Sequence, residues 1–167
     1  MSDIASPPHP SPRAIAVTIL LATAAAGTLD MADACLYWAL TKGVPPERIF
    51  QSVASGVLGK AAFAGGARTA ALGLALHYAI MAVMVAVYVL ASLRLPILVR
   101  RPVMMGLGYG LATYVVMNYV VLPLSRASSG GPFVLLDFLN GLVAHLVPVG
   151  LTIALIVSWR AKRENTL

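Results

Sequence analysis

The stretch RTAALGLALHYAIMAVMVAVYVLASL, residues 68–93, decides the class of this chain. After Arg68 it carries no Asp, Glu, Lys or Arg as far as Leu93. Coiled as an α-helix it extends about 38 Å, more than the ~30 Å of hydrocarbon in a bilayer. Lipid offers no water to the backbone, so a run of this kind must bond internally and form a helix. Three further apolar runs lie at about 14–40, 103–123 and 133–159, interrupted by charge at Asp30, Asp33 and Asp137. The expected architecture is an all-α integral membrane four-helix bundle.

The composition agrees. Of the 167 residues, 59% are hydrophobic and 11% are charged. A soluble domain carries about 25% charged residues, so this chain lacks the polar surface that water requires. Mean hydropathy is +0.86. A net charge of +6 would suggest nucleic acid in a soluble protein. Here the basic residues flank the apolar runs, and no basic stripe with interleaved aromatics occurs, so no nucleic-acid partner is expected. The single cysteine, Cys35, excludes an internal disulfide and a cysteine-based metal cluster.

Residues 1–13, rich in Pro and Ser, read as a disordered tail, and residues 160–167 as a basic tail. Arg13 followed by an apolar, Ala-rich stretch leaves a secretory signal as an alternative for the first run. Against it, the Pro-rich start makes a poor charged region, and apolar character continues to Leu40. In the first loop, Pro45 and Pro46 suit a helix start. Ile49, Phe50, Val53, Ala54, Val57 and Leu58 then share one face, giving a short helix over about 46–58 that lies in the interface, packs over the bundle mouth, or simply connects two spans. The loops around 94–102 and 124–132 are short, so the second and third spans, and the third and fourth, are expected to be antiparallel neighbours.

Four spans place both termini and the 94–102 loop on one side. That side carries Arg13, Arg94, Arg100, Arg101, Arg160, Lys162 and Arg163; the other carries Lys42, Arg48, Lys60, Arg68 and Arg126. The bias toward the first group makes both termini cytoplasmic.

Two near-copies, GLALH at 73–77 and GLVAH at 141–145, each put a histidine four residues after a glycine inside an apolar run. They suggest either duplication of a helical hairpin or chance in a Gly- and Leu-rich chain. Counting along the spans brings His77, His145, Asp30 and Asp33 to similar depth, with Asn118 slightly nearer the surface. Charged groups there cost at least ~2.5–3.5 kcal/mol each on insertion scales, so an intramembrane cluster is a functional candidate by default. Helical spacing places Asp30 and Asp33 on one side of the first span with Ala26, Ala34 and Tyr37. It also aligns Gly73, His77, Met81 and Met84 in the second span and Gly106, Gly110, Tyr114 and Asn118 in the third. In the fourth it aligns Asp137, Gly141, His145, Pro148 and Thr152. Gly73, Gly106, Gly110 and Gly141 are small positions for close helix packing, and Pro148 predicts a kink with a freed carbonyl beside His145.

Asp30, Asp33, His77, Asn118 and His145 therefore form the expected polar site. The first reading is proton- or cation-linked transport, with carboxylates and imidazoles as relay or ion ligands. Against it stands a purely structural hydrogen-bonded knot. The second reading is a redox protein in which His77 and His145 hold a divalent metal or, as a lesser alternative, flank a haem. The third is an accessory protein that binds another membrane subunit, or its own copies, through the loop helix and the small-residue faces. Met81 and Met84 read as packing residues. No nucleotide loop, Ser-His-Asp set or zinc-protease motif is present, so no enzyme class is indicated.

The segments GVPPERIFQSVASGVLGKAAFAGG, GLALHYAIMAVMVAVY, VMNYVVLPLS and AHLVPVG, within residues 27–155, resemble a group of small bacterial four-span membrane proteins, and distantly the YagU-like inner-membrane proteins. The resemblance implies four helices and a bacterial inner-membrane location. It brings no catalytic residues.

Overall fold

The computed structural model describes residues 10–127 and 132–164. Six helices follow in order: α1 (Pro12–Lys42), α2 (Pro46–Leu58), α3 (Gly66–Ser92), α4 (Ile97–Arg100), α5 (Pro102–Leu124) and α6 (Leu135–Arg163). A tight 3-10 turn, Gly59–Ala64, links α2 to α3. Helices α1, α3, α5 and α6 are long and apolar enough to cross a membrane. Large apolar side chains cover their outer faces; Leu40 and Leu124 are 76% and 82% exposed. Water would penalise such a surface, whereas lipid accepts it. The chain is an all-helical, multi-pass membrane bundle.

Helix α1 begins inside the segment read as a tail. The Ser11 hydroxyl accepts the Ala14 N–H at 3.1 Å and Pro12 occupies the first turn, a cap that needs no help from residues upstream. Residues 1–9 of that tail lie outside the described residues. At the other end, α6 continues through Arg160–Arg163, where Arg163 stacks over Trp159 at 4.3 Å. Only residues 165–167 of the basic tail lie outside the description.

The exit from α1 sets the position of α2. Gly43 adopts φ +63°, and its N–H bonds back to the Ala39 carbonyl while that of Val44 reaches Trp38. This left-handed cap suits glycine and turns the chain sharply back over the bundle. Helix α2 then packs along α3 rather than lying loose. A Cβ on Gly73 would collide with the Phe50 carbonyl oxygen, and would meet its carbon at 2.6 Å and the Ala54 nitrogen at 3.1 Å. Ile49, Gln51, Ala54 and Ser55 are buried by this contact, and Gln51 donates to the Gly66 carbonyl at 3.2 Å. The Arg126 N–H bonds to the Gly56 carbonyl at 2.8 Å, joining α2 to the loop after α5.

The α5–α6 interface is closer still. Gly106 lies against Gly150 and Ala154, and Gly110 against the backbone of His145 and Leu146. With no intervening Cβ atoms, the two helices meet backbone to backbone. Gly106 and Gly110 thus serve the packing role expected of them. Gly150, which carries as much of the interface, was not singled out.

Two prolines reshape these helices. Both α5 and α6 contain π-helical segments, Met117–Val121 and His145–Leu151, beside Pro123 and at Pro148. Proline cannot donate to the preceding turn, so the ladder widens locally, and polar side chains bond to backbone carbonyls nearby. Asn118 Nδ2 donates to the Tyr114 carbonyl at 2.9 Å, and the Thr152 hydroxyl to the Val147 carbonyl at 3.2 Å.

The buried core, including Ala22, Ala26, Met81, Val85, Tyr88, Val149, Ile153 and Val157, fills the end of the bundle nearest α4. Tyr88 and Ser158 donate to the Leu98 and Val99 carbonyls, tying α3 and α6 to that turn. The expectation that the second and third spans lie side by side is corrected. Helix α3 packs on α1 and α2, while α5 packs on α6. Helix α3 meets α5 through Tyr109, whose hydroxyl donates to the Met84 carbonyl at 2.7 Å and whose ring abuts Tyr88. The reason lies in α2, whose dock at Gly73 occupies a face of α3.

Candidate functional site

Helix α1 brings Asp30 against α3. His77 Nε2–H donates to the Gly27 carbonyl at 2.8 Å, one turn before Asp30. The glycine makes this approach possible: a Cβ at Gly27 would meet the Tyr78 ring at 2.8 Å. The Tyr78 and Thr28 hydroxyls bond at 2.8 Å on the same seam. A carbonyl only accepts, so Nε2 carries the proton and Nδ1 turns to the Asp30 carboxylate, 4.0 Å from Oδ2.

The separation is too long for a hydrogen bond, and the two groups form an ion pair only when His77 is protonated. Among the described residues, Asp30 accepts no hydrogen bond. The side chains of Asp30 and His77 are 21% and 11% exposed, enough for exchange with an occupant of the adjoining space.

That space is a cavity of about 760 Å³ between α1, α2 and α3. Asp30 and His77 lie at its inner end. Its walls include Ala34, Trp38, Ile49, Val53 and Phe63, and Arg48 lines it from the first turn of α2, beside Gly43 and Pro45. From Asp30 to Gly43 is about 20 Å along α1.

The five expected site residues do not form one cluster. Asp30 and His77 come together. Asp33 faces α6 instead, where Asn140 Nδ2 donates to its Oδ2 at 3.1 Å. Residues three apart on a helix differ by 60° in direction, so the two carboxylates straddle a ridge of α1 and divide between cavity and interface. His145 Nδ1–H donates to the Gly141 carbonyl of its own helix at 2.9 Å, and its ring lies edge-on to Tyr114. Asn118 is spent on the π-helical backbone of α5. The two glycine–histidine motifs thus do different work. The hollow at Gly73 receives α2, while Gly141 receives the edge of Tyr114 at 3.5 Å.

Neither histidine finds the companions a metal needs. Each commits one ring nitrogen to a carbonyl, and among the described residues no group of three or more His, Cys, Asp and Glu side chains is placed to hold a metal ion. The divalent-metal and haem readings of His77 and His145 gain no support from this geometry.

Several partners were missed from sequence. Asp137 accepts from the Tyr37 hydroxyl at 2.6 Å and pairs with Lys42 Nζ at 2.6 Å; Lys42 also lies over the Trp38 ring. This knot closes α1 on α6 at the membrane edge. Tyr37→Phe removes the hydrogen bond to Asp137, so it should lower the unfolding midpoint and leave the Asp30–His77 pair intact. Thermal unfolding in detergent checks this; an unchanged midpoint would show the knot to be idle. Asn140, Arg48, Trp38 and Phe63 were likewise unmarked, because each looks ordinary until the fold places it.

Comparison of the chain with protein-family models, with curated proteins and with solved structures returned no match.

Proposed function

We propose that this protein is a proton-linked transporter of the bacterial inner membrane, with both termini cytoplasmic and the Asp30–His77 pair as its proton carrier. The single observation behind this reading is the pair itself, a carboxylate and an imidazole facing each other in the lining of a cavity. Such a pair holds one proton stably and exchanges it through the cavity. The membrane location rests on four apolar helices, and the orientation on the excess of Lys and Arg beside the termini and the 94–102 loop. The resemblance to YagU-like inner-membrane proteins points to the same compartment.

In this reading the cavity is one of two states. Proton release on the far side requires the contacts of Met81 and Val85 with Ala22, Ala26 and Val149 to loosen, a sliding of α1 and α3 against α6. The π-helical segment at Pro148 gives α6 a weak point for that movement.

Purified protein in sealed vesicles, loaded with a pH-sensitive dye and placed under a pH gradient at clamped potential, tests the proposal. Proton entry above that of empty vesicles is expected even with no co-transported solute, because the pair carries its proton whether or not the cavity is filled. Entry no faster than in empty vesicles would overturn the transport reading.

A further inference from the structure

The charge of the cavity points to the solute that accompanies the proton. Asp30 and His77, sharing one proton, contribute no net charge. Arg48 adds one positive charge. One of its terminal nitrogens donates to the Phe63 carbonyl at 3.2 Å and to Gln51 Oε1 at 3.4 Å, both neutral acceptors. Its neighbour Glu47 instead accepts from Gln51 Nε2. Among the described residues, Arg48 forms no ion pair, and most of its five N–H donors remain for a ligand. The guanidinium lies over the Phe63 ring at 5.3 Å, which holds it against the cavity wall.

Between Arg48 and the proton pair the wall is apolar and aromatic, formed by Trp38, Ile49, Val53 and Phe63. The volume of about 760 Å³ suits one small molecule, within the ~300–1,000 Å³ of typical ligand sites.

We infer that the cavity binds a small organic monocarboxylate with an apolar body, captured by Arg48 and carried together with a proton on the Asp30–His77 pair. This rests on the proton-linked reading above and names the substrate class. A second proton on the pair gives a protonated Asp30 and a charged His77, which present two donors, on atoms 4.0 Å apart, to the two oxygens of a carboxylate. The acid and its proton then cross as a neutral unit, avoiding the cost of a bare anion in a medium of low dielectric. A cationic amphiphile meets the opposite conditions: Arg48 repels it at the wall, and the second proton repels it at depth.

Binding must therefore tighten as pH falls, because the bound state holds one more proton than the free state. Around the pair, the Tyr78 ring on α3 lies edge-on to His77 and Arg48 on α2 lines the same cavity, while Asp33 on α1 bonds to Asn140 and His145 on α6 to the Gly141 carbonyl. Only loss of Asp30 or His77 should remove the pH dependence, while loss of Arg48 should weaken affinity at every pH.

Trp38 offers a direct readout, since it lines the cavity and Trp159, the other tryptophan, does not. In Trp159→Phe protein in phospholipid nanodiscs, octanoate should change Trp38 fluorescence saturably, and octylammonium should not. Affinity for octanoate should rise about ten-fold per pH unit on acidification, the slope for one linked proton. Arg48→Gln should lose about ten-fold or more in affinity, and Arg48→Lys should recover part of it. Saturable octylammonium binding as tight as that of octanoate, or no saturable octanoate signal in well-folded protein, would overturn the inference. Proton flux with no preference for octanoate would remove this substrate class and keep the transporter. Arg48-dependent octanoate binding with no proton flux and no pH slope would do the reverse, removing the transport reading and the proton partner.

Discussion

Gly110→Val should leave little or no correctly folded protein. A Cβ at this position would collide with the His145 carbonyl oxygen and come within 2.7 Å of the Leu146 Cα and 2.9 Å of the His145 carbonyl carbon. These are backbone atoms of α6, which cannot swing aside as a flexible side chain can. Overpacking a well-filled site commonly costs ~1–3 kcal/mol even where side chains can adjust; here two helices must separate along their whole contact. The same displacement would move His145 and the π-helical segment that begins there. Gly108 supplies the control, because nothing lies within 4 Å of a Cβ built on it. Gly108→Val, facing lipid, should purify like the parent protein. Yield of monodisperse protein and its unfolding temperature decide the matter. Equal behaviour of the two variants would mean that α5 and α6 do not pack as described.

Asp30→Asn should reduce proton entry into vesicles by at least about a hundred-fold, the lower range for removal of a positioned proton-transfer group. The amide has nearly the same shape and still sits beside His77 Nδ1, but it cannot lose and regain a proton. Folding should survive, since an amide N–H donated to Nδ1 satisfies both partners. Asp33→Asn is the informative contrast. Asn140 already donates to the Asp33 side chain at 3.1 Å, and a carbonyl oxygen in its place accepts the same bond. Flux through Asp33→Asn should stay within about two-fold of the parent, as expected for a residue outside the proton path. If both variants lost flux equally, the two carboxylates would act as one unit and the division between cavity and interface would be mistaken.

The degree to which this fold was legible follows from how strong each physical constraint is. Lipid imposes the harshest one, so the runs around 14–40, 68–93, 103–123 and 133–159 announce four membrane helices with little ambiguity. Small residues at Gly73, Gly106 and Gly110 announced close contacts, because few other uses exist for them at helical spacing. What they contact was hidden. Gly73 meets the backbone of α2 instead of another span, since nothing in a linear pattern says that a loop helix will dock sideways. The candidate site divides in the same way. Depth can be counted along a helix, and Asp30 and His77 were correctly brought to one level and do meet. Direction around the helix is finer, and a 60° difference sent Asp33 to Asn140 while Asp30 turned to the cavity. Asn118 and His145 met local demands, which the chain met at the prolines and glycines of their own helices. Arg48 escaped notice because an arginine in an interfacial helix is usually solvated; only the fold shows it lining the cavity.

An exchangeable proton held between Asp30 and His77 is visible to infrared difference spectroscopy of the protein in lipid, stepped in pH. A protonated-carboxyl band should grow on acidification, shift on replacing water with heavy water, and be absent from Asp30→Asn but present in Asp33→Asn. A band unchanged in Asp30→Asn, or no titrating carboxyl in the parent protein across the range in which it stays folded, would mean that the pair holds no such proton.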